Sequence, residues 1–180
     1  ICDIGASPVD PTPFIDELLK NVECFLYGFE PNEEEFKKLH STDKKEYFNY
    51  AVGNGQIETL NICSAPGMTS ILEPDFEYLK LFHGFSDWAK VTKKVKVQTK
   101  KLDDVNFDKK IDFLKIDVQG YEHEVIKNGN KIIKDCLIVQ LETSPIPLYK
   151  NEKSFAHICL QLENLGFQLH SFNKINTRCF

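Results

Sequence analysis

Short apolar runs alternate along this chain with segments whose apolar residues recur at helical spacing. The runs at 1–5 (ICDIG), 24–29 (CFLYGF), 47–52 (YFNYAV), 113–116 (FLKI) and 137–141 (LIVQL) have the length and composition of buried strands. Residues 57–62 (IETLNI) alternate apolar and polar, as a half-exposed strand does, and 167–172 reads as a last strand. Between the runs, Phe14, Ile15, Leu18, Leu19 and Val22 recur at helical spacing, with Thr12 as N-cap and Pro13 in the first turn. Asn32 caps a second helix whose acidic first turn, Glu33-Glu34-Glu35, suits the helix dipole and whose Phe36 and Leu39 are its inward positions. A helix over 121–128 stops at Asn128-Gly129. A further one, capped by Ser154, carries Phe155, Ile158, Leu162 and Leu165 inward and ends at Gly166. Residues 93–102 (KKVKVQTKKL) alternate Val with Lys and predict a solvated edge strand whose lysines guard against aggregation. The aromatic-rich stretch at 63–90 has only weak helical periodicity.

Strands alternating with helices predict a doubly wound, Rossmann-like α/β fold: a mainly parallel sheet with helices on both faces. The length predicts one domain over residues 1–180. Hydrophobic residues at 42% and charged residues at 27% are ordinary for a soluble globular protein, and the formal net charge of −5 argues against a general binder of nucleic-acid backbones. No apolar run approaches the ~20 residues that cross a bilayer, so no membrane span is expected, and no signal peptide is visible. The six cysteines are scattered, without a C-x-x-C pair, which predicts reduced thiols, a cytoplasmic location and no structural zinc. Ile1 and Phe180 both fall inside strand-like sequence, so the chain is expected to be a fragment of a somewhat longer protein.

Residues 112–124 (DFLKIDVQGYEHE) concentrate the candidate chemistry. Asp117 ends a strand, Gly120 permits a tight turn, and a helix starts directly after. This is how an open α/β sheet presents a carboxylate to a ligand, although Asp117 and Gly120 also suit a plain chain reversal. Three other strand ends carry acids: Asp3 before Gly5, Glu30, and Glu142. A dinucleotide site wants G-x-G-x-x-G at the first turn, but Gly5 is followed by Ala6, Ser7 and Pro8, a poor phosphate cradle. Glu30 still suits ribose hydroxyls. A ligand with a free ribose, no phosphate and a cationic centre fits such a rim better than NAD does, and S-adenosylmethionine has all three properties.

The motifs CDIGAS at 2–7, GFEP at 28–31, AVGNG at 51–55, Leu102-Asp103-Asp104 and IDFLKIDVQGYEHEVIKNG at 111–129 resemble, in order and spacing, those of the FkbM family of class I S-adenosylmethionine-dependent methyltransferases. Ser7-Pro8 stands where the family often has Asn after D-x-G-A. The resemblance implies a seven-stranded Rossmann-like sheet, here with its last strand short or missing after Phe172. It implies methyl transfer from S-adenosylmethionine, commonly to a hydroxyl oxygen of a sugar or other small metabolite. By the same resemblance Asp3, Gly5 and Ala6 line the methionine part of the cofactor. Glu30 holds the ribose with Pro31 and Asn32 beside it, Ala51 and Val52 flank the adenine, and Asp117 faces the methyl.

Transfer to a hydroxyl needs positioning and a base. Asp117 is the first candidate base, followed by His123 and His83, while Glu122 could orient the acceptor or cap its helix. Asp117 and Glu142, with Thr143, are few ligands for a hard cation, so no metal site is expected. The loops 64–70 and 143–149, with 76–88, are candidate acceptor walls, and a small satellite core is the other reading of the aromatics. Two further classes remain open: a non-catalytic Rossmann-like interaction module, and an NAD-type oxidoreductase on the same fold.

Overall fold

The computed structural model describes residues 1–8, 13–173 and 175. In chain order the elements are β1 (Cys2–Ile4), α1 (Pro13–Asn21), β2 (Leu26–Phe29), α2 (Glu33–Phe36), β3 (Lys45–Phe48), β4 (Ala51–Val52), β5 (Ile57–Cys63), α3 (Phe76–Leu79), α4 (Phe85–Trp88), β6 (Val91–Lys100), β7 (Phe113–Ile116), α5 (Glu122–Lys127), α6 (Asn130–Asp135), β8 (Ile138–Leu141) and α7 (Phe155–Glu163). Single 3₁₀ turns stand at Pro66–Met68 and Leu102–Asp104.

Five strands form one parallel sheet in the order β3-β2-β1-β7-β8. Every residue of β1, β2 and β7 is buried, which is why these strands read as continuous apolar runs and not as alternating ones. The register pairs Ile4 with Phe29 and with Ile116, and Cys2 with Tyr27 and with Leu114. These side chains share one face, where Val125 and Ile126 of α5 and Ile133 of α6 close the main core. On the opposite face Ile15 and Leu19 of α1 pack on Leu26 and Phe113. The sheet is therefore covered by helices on both faces, a Rossmann-like α/β fold.

A second sheet of three strands, in the order β4-β6-β5, stands beside the first. β5 and β6 pair antiparallel, and β4 runs parallel to the last two residues of β6. The lysine-rich strand thus pairs with β5 up to Gln98 and gains β4 on its other side at Thr99 and Lys100, a correction to the simple edge strand expected over 93–102. The expected strand over 47–52 is two strands in two sheets. The side-chain amide of Asn49 donates to the Glu30 carbonyl at 2.9 Å, taking the acceptor that a continuing strand would use, and the chain leaves the main sheet there. Residues 167–172 form no strand. Gly166, at φ 97°, and Phe167 close α7 instead, with Phe167 N–H donating to Leu162 O at 3.1 Å, and Phe172 packs on Phe155. Among the described residues the main sheet therefore holds five strands and not seven.

Smaller expectations resolve in the same way. Asn32 caps α2 by accepting from Glu34 N, and Ser154 caps α7 by accepting from His157 N. The buried side chain of α2 is Glu35; Phe36 and Leu39 are half-buried. The stretch 63–90 holds two single-turn helices, and its Leu79, Phe85 and Ala89 form a satellite cluster with Cys63, Met68 and Tyr149. Thr12 and Phe180 lie outside the described residues. The described cysteines are all free, and no described helix is long and apolar enough to cross a membrane.

Candidate active site

Because the five strands are parallel, their carboxyl ends fall along one edge. The chain adds β2 and β3 on one side of β1 and then returns to place β7 on the other, so the sheet order reverses at β1, the position where such sheets open a ligand crevice. A cleft of about 760 Å³, measured with its open mouth, lies there. Gly5 and Ser7 form its floor after β1, and Glu30, Pro31, Asn32 and Glu35 form one wall after β2. Ala51 and Val52 of β4, with Leu60 and Tyr50, make an apolar end. Asp117, Val118, Gln119 and Tyr121 form the wall after β7, and Pro66 and Gly67 with Thr69, Ser70 and Ile71 roof it.

Two glycines let this edge close up. At Gly5, with φ 87°, a Cβ would collide with the carbonyl oxygen of Asp117, so the ends of β1 and β7 approach only because none is present. Gly120, at φ 92°, passes under the Tyr149 ring, which would stand 2.9 Å from an added Cβ. The turn between them is shaped from inside by Glu122. Its Oε1 accepts from the backbone N–H groups of Val118 and Gly120, each at 3.2 Å. Burial pushes the Glu122 carboxyl up to about 7 even though those bonds favour its ionised form.

The acids of the edge sit in two electrostatic settings. Below the floor, Lys115 Nζ lies 3.0 Å from Asp3 Oδ1 and 3.4 Å from Asp117 Oδ2. Burial opposes the Lys115 charge, but Asp3 and Asp117 outweigh it and raise its pKa above the ordinary value. At the rim, Glu30 is 6% exposed and has no cation beside it among the described residues; its Oε1 accepts from Asn32 N at 2.7 Å. Burial, with the neighbouring Glu35, Asp3 and Asp117, pushes the Glu30 carboxyl up to about 7. Glu142 is exposed as a residue, yet desolvation of its carboxyl and the facing Asp117 push it up to about 8. Among the described residues no group of three or more His, Cys, Asp or Glu could hold a metal ion.

Of the residues singled out in the sequence, Gly5, Glu30, Pro31, Asn32, Ala51, Val52 and Asp117 meet around this cleft. Asp3 turns its carboxylate away to Lys115, and Ala6 is buried behind the floor with its N–H donating to Phe29 O at 3.0 Å. Glu122 stands behind the turn. His123 faces a second, shallower depression, its Nδ1 3.0 Å from Gln161 Oε1 and its ring against His157. His83 is exposed. Sequence reasoning missed Glu35, Tyr50, Tyr121 and Gln119. Gln119 lies inside the quoted motif and Glu35 five positions after Glu30, so proximity to a motif was their available signal. Tyr50 directly precedes Ala51 and Tyr121 lies inside the 111–129 motif, so the same signal applied to them.

The sequence model of the methyltransferase FkbM domain matches residues 3–169, from the first acid of the sheet edge to beyond α7. No curated protein and no solved structure matches the chain. The match covers most of the chain and every element that builds the cleft, and the protein belongs to the FkbM methyltransferase domain family.

Proposed function

We propose that this methyltransferase uses S-adenosylmethionine and methylates a hydroxyl oxygen of a sugar or other small metabolite. The observation that carries the reading is the lining of the cleft. It holds the carboxyl groups of Glu30, Glu35 and Asp117 and, among the described residues, no Lys, Arg or His. Glu35 is paired with Lys38 at 2.8 Å and Asp117 with Lys115 at 3.4 Å, but neither lysine lines the cleft, so a phosphate would find no cationic partner there, whereas a sulfonium or an ammonium would find carboxyl oxygens.

The residues divide the donor between them. The Glu30 carboxylate accepts one bond from Asn32 N–H and keeps its remaining lone pairs for a ribose diol. Ala51, Val52, Leu60 and Phe29 supply an apolar slot for adenine. Gly5 and Ser7 line the methionine end, with Ala6 and the Asp3–Lys115 pair behind them. When bound, S-adenosylmethionine supplies an electrophilic methyl group whose bond to sulfur breaks as the acceptor oxygen takes it, leaving a neutral thioether. Asp117 stands at the cleft wall to accept the acceptor's proton. Glu122 holds the backbone that presents Asp117, and His123 lies outside the cleft.

Calorimetric titration with S-adenosylhomocysteine tests the donor site. Micromolar binding that is lost in Glu30→Ala is the expected result, with no heat from NADH under the same conditions. A well-folded protein that binds no S-adenosylhomocysteine would sink the reading.

A further inference from the structure

Gln119 has φ 54°, a left-handed backbone that costs a residue with a Cβ on the order of 1 kcal/mol. A glycine would make the same turn without that strain, so the side chain is the place to look for a reason. Its Nε2 donates to Asp117 Oδ1 at 3.0 Å and to Glu142 Oε2 at 2.8 Å. Its Oε1 lies 3.1 Å from the Tyr149 hydroxyl, which shares its one proton between Gln119 Oε1 and Met68 O, and its backbone carbonyl accepts from Ser70 Oγ at 2.6 Å. The two carboxyl groups decide which way the amide points, because the opposite orientation would set its oxygen against both. Tyr149 is 2% exposed and is anchored in the satellite cluster, so the amide is held from a rigid side of the molecule.

We propose that Gln119 is a positioning residue of the methyl-transfer site: its amide clamps Glu142, which does not itself line the cleft, to Asp117, which does, and the pair, not Asp117 alone, receives the proton of the acceptor hydroxyl. The chemistry rests on the methyltransferase reading above; the clamp does not. Two carboxyl groups that share one amide donor repel each other's charge, and the facing Asp117 favours a proton on Glu142. Asp117 also faces Lys115 at 3.4 Å, with the charges of Asp3, Glu30 and Glu122 around it, while Glu142 faces Asp117, Glu122 and the Gln119 amide. Burial and Asp117 hold the Glu142 carboxyl at about 8, close to the pH at which a proton acceptor works best. In the transfer step the acceptor O–H bond breaks and its proton moves onto the pair. The oxygen's electron pair forms the new O–CH₃ bond, and the electrons of the donor's C–S bond remain on sulfur. A pair of this kind suits a hydroxyl, which must lose its proton, and gives no advantage with a thioether or a tertiary amine.

Carboxyl ¹³C NMR titration of the ligand-free protein decides the matter without donor or acceptor, so its outcome is independent of whether S-adenosylhomocysteine binds. The variants are Gln119→Gly, which accepts the left-handed backbone without strain, and Gln119→Asn, whose shorter amide cannot span both groups. The expected result is a fall of the Glu142 midpoint by at least one pH unit in each, as the released carboxyls separate and hydrate. Asp117→Asn is expected to lower the Glu142 midpoint in the native background and to leave it unmoved in the Gln119→Gly background. A Glu142 midpoint that stays or rises in both Gln119 variants overturns the proposal, since loss of a bystander N–H donor only removes a bond that favoured the ionised form.

Discussion

Two sets of acids lie within a few residues of one another at the carboxyl edge of the sheet, and the fold treats them in opposite ways. Asp3, and Asp117 from below, share a buried ammonium, Lys115, whose side chain reaches them from the middle of β7. Glu30 and Glu142, at the rim, have no cation among their hydrogen-bond partners in the described residues; burial pushes them towards their neutral forms, as it does Asp3, but only Asp3 has Lys115 pulling against that shift. Inner acids of the first kind belong to the folded state, because breaking a buried pair strands the survivor. Rim acids of the second kind weaken the empty protein and leave room for a cation. The same residue type at the same edge therefore has a built-in cation in one place and, on the proposed function, takes its partner from a ligand in the other, and the position of one lysine draws the line.

The largest expected effect comes from removing that lysine. Lys115→Met leaves Asp3 buried without its partner and is expected to cost about 3–5 kcal/mol in urea unfolding, with most of the loss recovered when Asp3→Asn is added. An inner pair that can be broken for less than about 1 kcal/mol would erase the contrast.

The pH dependence of stability comes next. Glu30 and Glu122 hold protons up to about 7 in the folded state, against an ordinary value of 4.5. Between those values the native protein binds protons that the unfolded chain has released, so their contribution is fullest below 4.5 and is lost as pH rises through 7. The loss is on the order of 2–3 kcal/mol for each buried group. The midpoint of thermal unfolding of the ligand-free protein should fall from pH 5 to pH 8, and Glu30→Gln and Glu122→Gln should each flatten that slope. A flat profile in the unmodified protein would contradict the assignment of uncompensated acids.

Glu30→Gln sharpens the comparison from the binding side. It is expected to stabilise the empty fold at pH 8 while weakening S-adenosylhomocysteine ten- to a hundred-fold, the range of about 1.5–3 kcal/mol for hydrogen bonds to a charged group. Loss of stability together with binding would place Glu30 among the structural acids instead. The smallest effect is expected for Glu142→Gln. At pH 4 its carboxyl is protonated in the folded chain and largely protonated in the unfolded one, so unfolding free energy should change by less than about 0.5 kcal/mol there.

Local pattern carried much of the architecture. The strands at β1, β2 and β7 were readable as apolar runs because a parallel sheet buries both faces; β8 was readable as an apolar run too, but it ends the sheet and is half-buried with Ile138 exposed, not the buried strand expected. The caps at Asn32 and Ser154 were readable because a helix start leaves N–H groups that such side chains satisfy. The failures have specific causes. The run at 47–52 was broken by a side-chain amide taking a carbonyl from another strand, and Phe167 was used to close a helix. Neither competition is visible in hydropathy. At the cleft, Glu30 and Asp117 were legible from their places at strand ends, whereas Lys115 read simply as the polar member of an apolar run.

The sequence by itself determined which residues would form parallel strands, and hence that acids following them would share one edge, because strand direction and side-chain period follow from local chemistry. Only the tertiary structure decided which acids meet a cation, since Lys115 reaches a partner 112 positions away, and that Gln119 is held by Tyr149 from a separate cluster. Charge compensation and hydrogen bonding act through space over a few ångströms, and the chain brings those atoms together only after it has folded.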